Sequence, residues 1–194
     1  MFSGSQATTL DVSNFDTSKV TSMFSMFQES KAKTLNVSNF NTSNVADMSA
    51  MFYLSQATTL DLSNFNTSKV TNMSSMFSGS QATTLDVSNF DTSNVTDMGY
   101  MFNYSQATTL DVSNFDTSKV TNMSSMFRNA SNLKTIYVSN KFVTTAVTSS
   151  NRMFSDCTKL IGGNGTKYNS SHVDKAYAHI DGGTSNPGYF TLKK

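Results

Sequence analysis

One motif, spaced 25 residues apart, governs the chain. LDVSNFDTSNV at Leu85–Val95 recurs as LDVSNFDTSKV from Leu10, LNVSNFNTSNV from Leu35, LDLSNFNTSKV from Leu60 and LDVSNFDTSKV from Leu110. A fixed period in this range marks a repeat architecture, in which each copy buries its apolar side chains against the next and none is stable alone. Each motif runs into a second apolar group, which in the first copy is Val20, Met23, Met26 and Phe27. All 12 Met lie on two such ladders, and every Phe except Phe24 and Phe190 is in register as well. Only 14% of residues are charged, and Ser, Thr and Asn supply the polarity. Disordered chains share that polar composition but lack regularly placed large apolar residues, so this placement requires a packed core.

Within one copy, Leu10-Asp11-Val12 alternates apolar and polar, as a short strand with Leu10 and Val12 inward and Asp11 outward would. Asn14 and its equivalents Asn39, Asn64, Asn89 and Asn114 are placed at a turn, partly buried, where identical amides one copy apart can hydrogen-bond along the stack. The three- and four-residue steps from Val20 to Phe27 suit short irregular or 3₁₀ segments, since the intervening Ser and Thr are poor helix formers. The column Ser22/Asp47/Asn72/Asp97/Asn122 exchanges among polar types and is assigned to solvent. Burying about seven large apolar side chains per copy, at roughly 1.5–3 kcal/mol each, offsets much of the ordering cost only when a neighbouring copy is present.

The expected fold is therefore mainly β: a β-solenoid of about six coils with short irregular or 3₁₀ segments and a C-terminal cap. Residues 1–160 form five regular coils and a degenerate sixth at Ala130–Phe154, and residues 161–194 form the cap, rich in Gly and containing Pro187. Tyr168, Tyr177, Ile180, Tyr189 and Phe190 supply the inner side of that cap. The chain starts inside a repeat, with no signal peptide, and reads as a segment of something longer. A net charge of +1 offers no case for nucleic acid or an anionic membrane, and no apolar run is long enough to span a bilayer.

Catalytic motifs are absent: there is no phosphate-binding Gly-rich loop, no CxxC and no HExxH. His172 and His179, with Asp174 and Asp181 nearby, supply the ingredients of a metal or Ser-His-Asp site, against the plainer reading of surface turns. Cys157, the single cysteine, reads as a buried thiol. Stacking would place Asp61, Asp86 and Asp111 in one like-charged row that a cation such as calcium would relieve; the alternative is carboxylates that stay hydrated and screened. Two threonine columns, Thr9/Thr34/Thr59/Thr84/Thr109 and Thr17 to Thr117, are assigned outward, where a flat array would order water as an ice-binding face does.

The frame L-x-V-S-x-F-x-T-S-x-V-x-x-M-x-x-M-F-x-x-[SC], read from Leu10 to Ser30, resembles the 26-residue repeat of bacterial surface proteins grouped with the BspA-type leucine-rich repeats. The closing CTKLIGGNGTKY…HIDGGTSNPGYFT is similar to what ends such arrays in Gram-positive bacteria, lactobacilli among them. Two departures stand out: the period is 25, and Ser replaces the family's Cys at 5, 30, 55, 80 and 105. The resemblance implies a right-handed, leucine-rich-repeat-like fold, secretion, display at the cell surface or cell wall, and adhesion. The expected function is a non-catalytic interaction module that engages a host or extracellular-matrix protein or a mucin-type glycan, without a cofactor. Its candidate contacts are Thr9, Asp11, Thr34, Asn36, Thr59, Asp61, Thr84, Asp86, Thr109 and Asp111 on the repetitive face, and Tyr53, Tyr100, Tyr104 and Tyr137, which break the repeat. A structural stalk that lifts another domain is the competing reading.

Overall fold

The computed structural model describes residues 1–194. Residues one period apart are neighbours in space. Phe27, Phe52, Phe77, Phe102, Phe127 and Phe154 stack at centroid steps of 5.6–5.9 Å with rings within 10° of parallel. Phe65 and Phe90 form a second, wider step of 6.5 Å. A single apolar cluster of 47 buried residues runs from Val12 to Phe190.

The backbone that carries this core is not the expected one. Strands β1 (Thr9–Leu10) and β2 (Thr34–Leu35) form one parallel pair. Strands β3 (Thr109–Asp111), β4 (Thr135–Val138) and β5 (Phe190–Leu192) form a second parallel sheet in that order. The repeats at Leu60 and Leu85 contribute no strand. Five strands of two to four residues in two separate short sheets correct the expectation of a right-handed, leucine-rich-repeat-like β-solenoid of six coils. The physical cause lies in the middle residue of each Leu-x-Val and the Ser that follows it. There the side-chain oxygen of Asp11, Asn36, Asp61, Asp86 or Asp111 accepts the N–H of the Ser two positions on, at 3.0–3.1 Å. Such Asx turns bend the chain before a strand can lengthen.

Of the short irregular or 3₁₀ segments expected between Val20 and Phe27, the structure has the irregular form, a run of consecutive turns with no 3₁₀ helix. Alternate N–H groups serve different partners. Met26, Gln28 and Ser30 donate within the repeat to Met23, Ser25 and Phe27, while Ser25, Phe27 and Glu29 donate to Ser49, Met51 and Tyr53 of the next. With every second donor sent across to the neighbour, no helical run forms. Ser25 and Glu29 take φ of 52° and 55°, and the equivalent turn residues of later repeats do the same. The only 3₁₀ helices, Lys175–Tyr177 and Gly183–Ser185, lie in the C-terminal segment. There Phe190 meets Phe127, Phe142 and Phe154 edge-on, Tyr189 is buried, and Tyr168, Tyr177 and Ile180 pack on the cluster.

Candidate binding groove

The two threonine columns part company. Thr9, Thr34, Thr59, Thr84 and Thr109 are exposed, but Thr17, Thr42, Thr67, Thr92 and Thr117 are buried, which corrects their outward assignment. Each buried hydroxyl clips two repeats together. Thr92 Oγ1 donates to Asp116 O at 2.9 Å and accepts the Asp116 N–H at 2.8 Å, and Thr17, Thr42 and Thr117 do likewise with Asn41, Asn66 and Val143. The Asn column differs too: Asn64, Asn89 and Asn114 donate to backbone carbonyls of the preceding repeat rather than to one another. The column Ser22/Asp47/Asn72/Asp97/Asn122, assigned to solvent, forms a run of single parallel bridges that continues to Ser149, and it is half-buried at Asp47, Asn72, Asp97 and Asn122. Its alternation of Asp and Asn keeps like charges apart, and Asn122 Nδ2 donates to Asp97 Oδ1 at 3.0 Å.

The exposed polar face is neither flat nor continuous. No backbone hydrogen bond joins Thr59–Asp61 to Thr84–Asp86, or the latter to Thr109–Asp111. A shallow hollow of about 330 Å³ opens there between Thr34, Asn36, Thr59, Asp61 and Thr84. Hydrogen bonds from the Ser13, Ser63 and Ser88 side chains and N–H groups hold the Asp11, Asp61 and Asp86 carboxyls below the usual carboxylate range. The like charge of Asp111 opposes this at Asp86 without outweighing it. Burial raises Asp111, but Lys193 at 2.8 Å and Ser113 lower it further. No three His, Cys, Asp or Glu side chains lie close enough together to hold a metal ion.

The tyrosines sort differently. Tyr53, Tyr100 and Tyr104 converge, with Leu54, on one open groove of about 340 Å³ floored by Ser75, Ser78 and Asn103. Its walls come from the second and fourth repeats and its floor mostly from the third. Aligned by period, the columns read Ala50-Ser75-Tyr100, Tyr53-Ser78-Asn103 and Leu54-Gly79-Tyr104, so the third repeat contributes only small side chains, Ser75, Ser78 and Gly79, beside Tyr53, Leu54, Tyr100 and Tyr104. Tyr100 and Tyr104 are 44% and 53% exposed. Both, like Leu54, adopt positive φ of 53–59°, a conformation that costs a bulky residue about 1–2 kcal/mol. Tyr137 does not join them; it is half-buried in β4 beneath Lys193, whose Nζ lies 4.8 Å from the ring centroid.

The remaining chemistry-bearing groups are dispersed. His172 stacks on Tyr177 at 4.3 Å, and His179 Nδ1 lies 3.0 Å from Ile180 O. Asp174 accepts the Ala176 N–H as a cap. Asp181, buried, has its pKa raised by desolvation and lowered more by donors from Thr166, Gly183 and Asn164, which bring it to about 2. The Cys157 thiol donates to Phe127 O, and burial, with the charge of Asp156, pushes it up to about 12 against an opposing bond from Ala130. No helix is long and apolar enough to cross a membrane.

Buried threonine clips and stacked phenylalanines define a repeat protein that presents one irregular aromatic groove. The family model described as "Mycoplasma protein of unknown function, DUF285" matches residues 1–108 and 78–187, and the chain belongs to that family. No curated protein and no solved structure matches the chain.

Proposed function

We propose that the chain is a non-catalytic interaction module, displayed outside the cell, that binds a host or extracellular-matrix protein or a mucin-type glycan. The observation that carries the reading is the convergence of Tyr53, Tyr100 and Tyr104 on one solvent-open groove. Tyrosine offers a large rigid contact area with a polar tip, and such residues dominate binding hot spots. Two of the three sit on left-handed turns that glycine, as at Gly79 in the column of Tyr104, occupies without that cost, which favours a role for the side chain itself. The finer likeness of the Leu10–Ser30 frame to BspA-type surface-protein repeats supports the extracellular setting. Thr9, Asp11, Thr34, Asn36, Thr59, Asp61, Thr84, Asp86, Thr109 and Asp111 act as secondary contacts along the face, adding weak interactions by repetition.

An array of matrix proteins, mucins and glycans probed with the purified chain tests this. Saturable binding that is lost in Tyr53→Ala/Tyr100→Ala/Tyr104→Ala and kept in Tyr137→Ala is the expected result. Absence of saturable binding to every probe would leave the stalk reading and overturn this one.

A further inference from the structure

Resting on the reading of the tyrosine groove as the binding surface, we infer that its ligand is an uncharged oligosaccharide. The ligand lies along Tyr53, Tyr100 and Tyr104 and continues across Leu54 onto the amides of Gln56 and Gln81. A second hollow, of about 500 Å³, adjoins the first and is bordered by Lys33, Leu54, Gln56, Thr58, Gly79 and Gln81. Leu54 borders both hollows. Gly79, at φ of +66°, keeps that boundary low: a Cβ there would stand 2.4 Å from Leu54 Cδ2, so only glycine lets Leu54 lie flat over the third repeat. The two hollows therefore form one elongated track with a low apolar divide, longer than a single sugar ring needs.

The chemistry of the track selects the occupant. Lys33 is the only charged residue along it, so there is no cluster of cations of the kind that recognises carboxylate, sulfate or phosphate. What remains is three phenol rings at one end, and at the other two glutamine amides with Thr58, each able to donate and accept. A sugar presents an apolar C–H face and a rim of hydroxyls, which these two sets match in turn. An extended peptide added as a strand needs free backbone groups, and those are spent: the N–H groups of Leu54, Tyr100 and Tyr104 already donate to Ser78, Ser124 and Arg128 of the following repeats at 2.8–2.9 Å. The same bonds hold the tyrosines in place before ligand arrives, which lowers the ordering cost of binding.

Calorimetric titration of the 194-residue chain with neutral tetrasaccharides (chito-, cello- and β-galacto-series), with sialylated and sulfated glycans, with a proline-rich peptide and with the matrix proteins and mucins of the array tests this directly. At least one neutral tetrasaccharide binds saturably. Tyr100→Ala and Tyr104→Ala each weaken it by about tenfold. Gln56→Ala/Gln81→Ala weakens the tetrasaccharide by about threefold or more yet leaves the matching disaccharide unchanged. Tyr104→Phe, which keeps the ring, retains most of the affinity and controls for folding. If acidic glycans, the peptide or a matrix protein bind through the tyrosines while neutral sugars do not, the present inference fails and the interaction module stands. If no probe binds, or binding ignores the tyrosines, both fail. A tetrasaccharide insensitive to Gln56 and Gln81 overturns the path across Leu54.

Discussion

Replacing Thr92 by Val tests the clip that joins the fourth repeat to the fifth. Val is nearly isosteric, so the packing is kept while Oγ1 disappears. Thr92 is 1% exposed, and its hydroxyl is the partner of both the Asp116 N–H and the Asp116 carbonyl. Leaving a donor and an acceptor unpaired costs about 1–3 kcal/mol each when they are fully buried, and this pair is only partly so. The added methyl returns at most about 0.8 kcal/mol. A net loss of about 2 kcal/mol follows, which lowers Tm by roughly 4–8 °C for a chain of this size. Thr92→Ser is the control: it keeps both bonds, removes one methyl and costs about 1 kcal/mol. Urea denaturation followed by circular dichroism gives the two stabilities, and hydrogen exchange at the Asp116 amide gives the local one. Exchange at that amide accelerates in Val and not in Ser. A Val variant as stable as the parent, or more stable than the Ser variant, would refute the claim that the buried threonines bond the repeats together.

Phe77→Ala, at a ring stacked 5.8 and 5.9 Å from Phe52 and Phe102, costs about 3–5 kcal/mol and splits urea unfolding into two phases, since neighbour contacts alone couple the repeats. Phe15→Ala costs far less, because that ring is 38% exposed. Asp181, held at about 2 against an ordinary 3.8, contributes at most about 2 kcal/mol before solvent screening. Its folded value lies below its unfolded one, so this stabilisation is present above about pH 4 and lost as pH falls through about 2; Asp181→Asn flattens that acid limb in a pH series of melts. Cys157, with its thiol pushed up to about 12, resists a thiol-specific disulfide reagent at about pH 8 in the folded protein and reacts at once in urea.

How much of this was legible depends on what the period carries. The Phe and Met ladders were, because a large apolar side chain repeated at one spacing has nowhere to go but inward. Thr9 and Thr17 were not separable: both recur in every copy, and a threonine satisfied by a neighbour's backbone looks in sequence like one satisfied by water. The distinguishing cue was the Asp or Asn before Thr17, which turns the chain so that the next side chain points in. Strand length is not legible for a related reason, since Leu-Asp-Val alternates as a strand does while the same Asp caps a turn that ends the strand. Tyr53, Tyr100 and Tyr104 were legible as irregularities. That they meet depended on Ser75, Ser78 and Gly79 being small in the repeat between, which shows only when the copies are aligned.

The groove lies where it does because of how the turns are built. Along the Met-Phe side the left-handed residues from Ser25 to Asn129 donate their N–H groups to the following repeat, among them Leu54 to Ser78, Tyr100 to Ser124 and Tyr104 to Arg128. The stack, not the side chain, therefore imposes the positive φ, and any residue can occupy the position at a bounded cost in strain. That is why one such column runs Ser25, Ala50, Ser75, Tyr100, Ser125 without losing its geometry, with φ between 52° and 59° throughout. The inward columns have no such freedom, since each Phe and Met must match the one above it. Recognition that differs from repeat to repeat can be written only on the turns, and the tyrosines are written there.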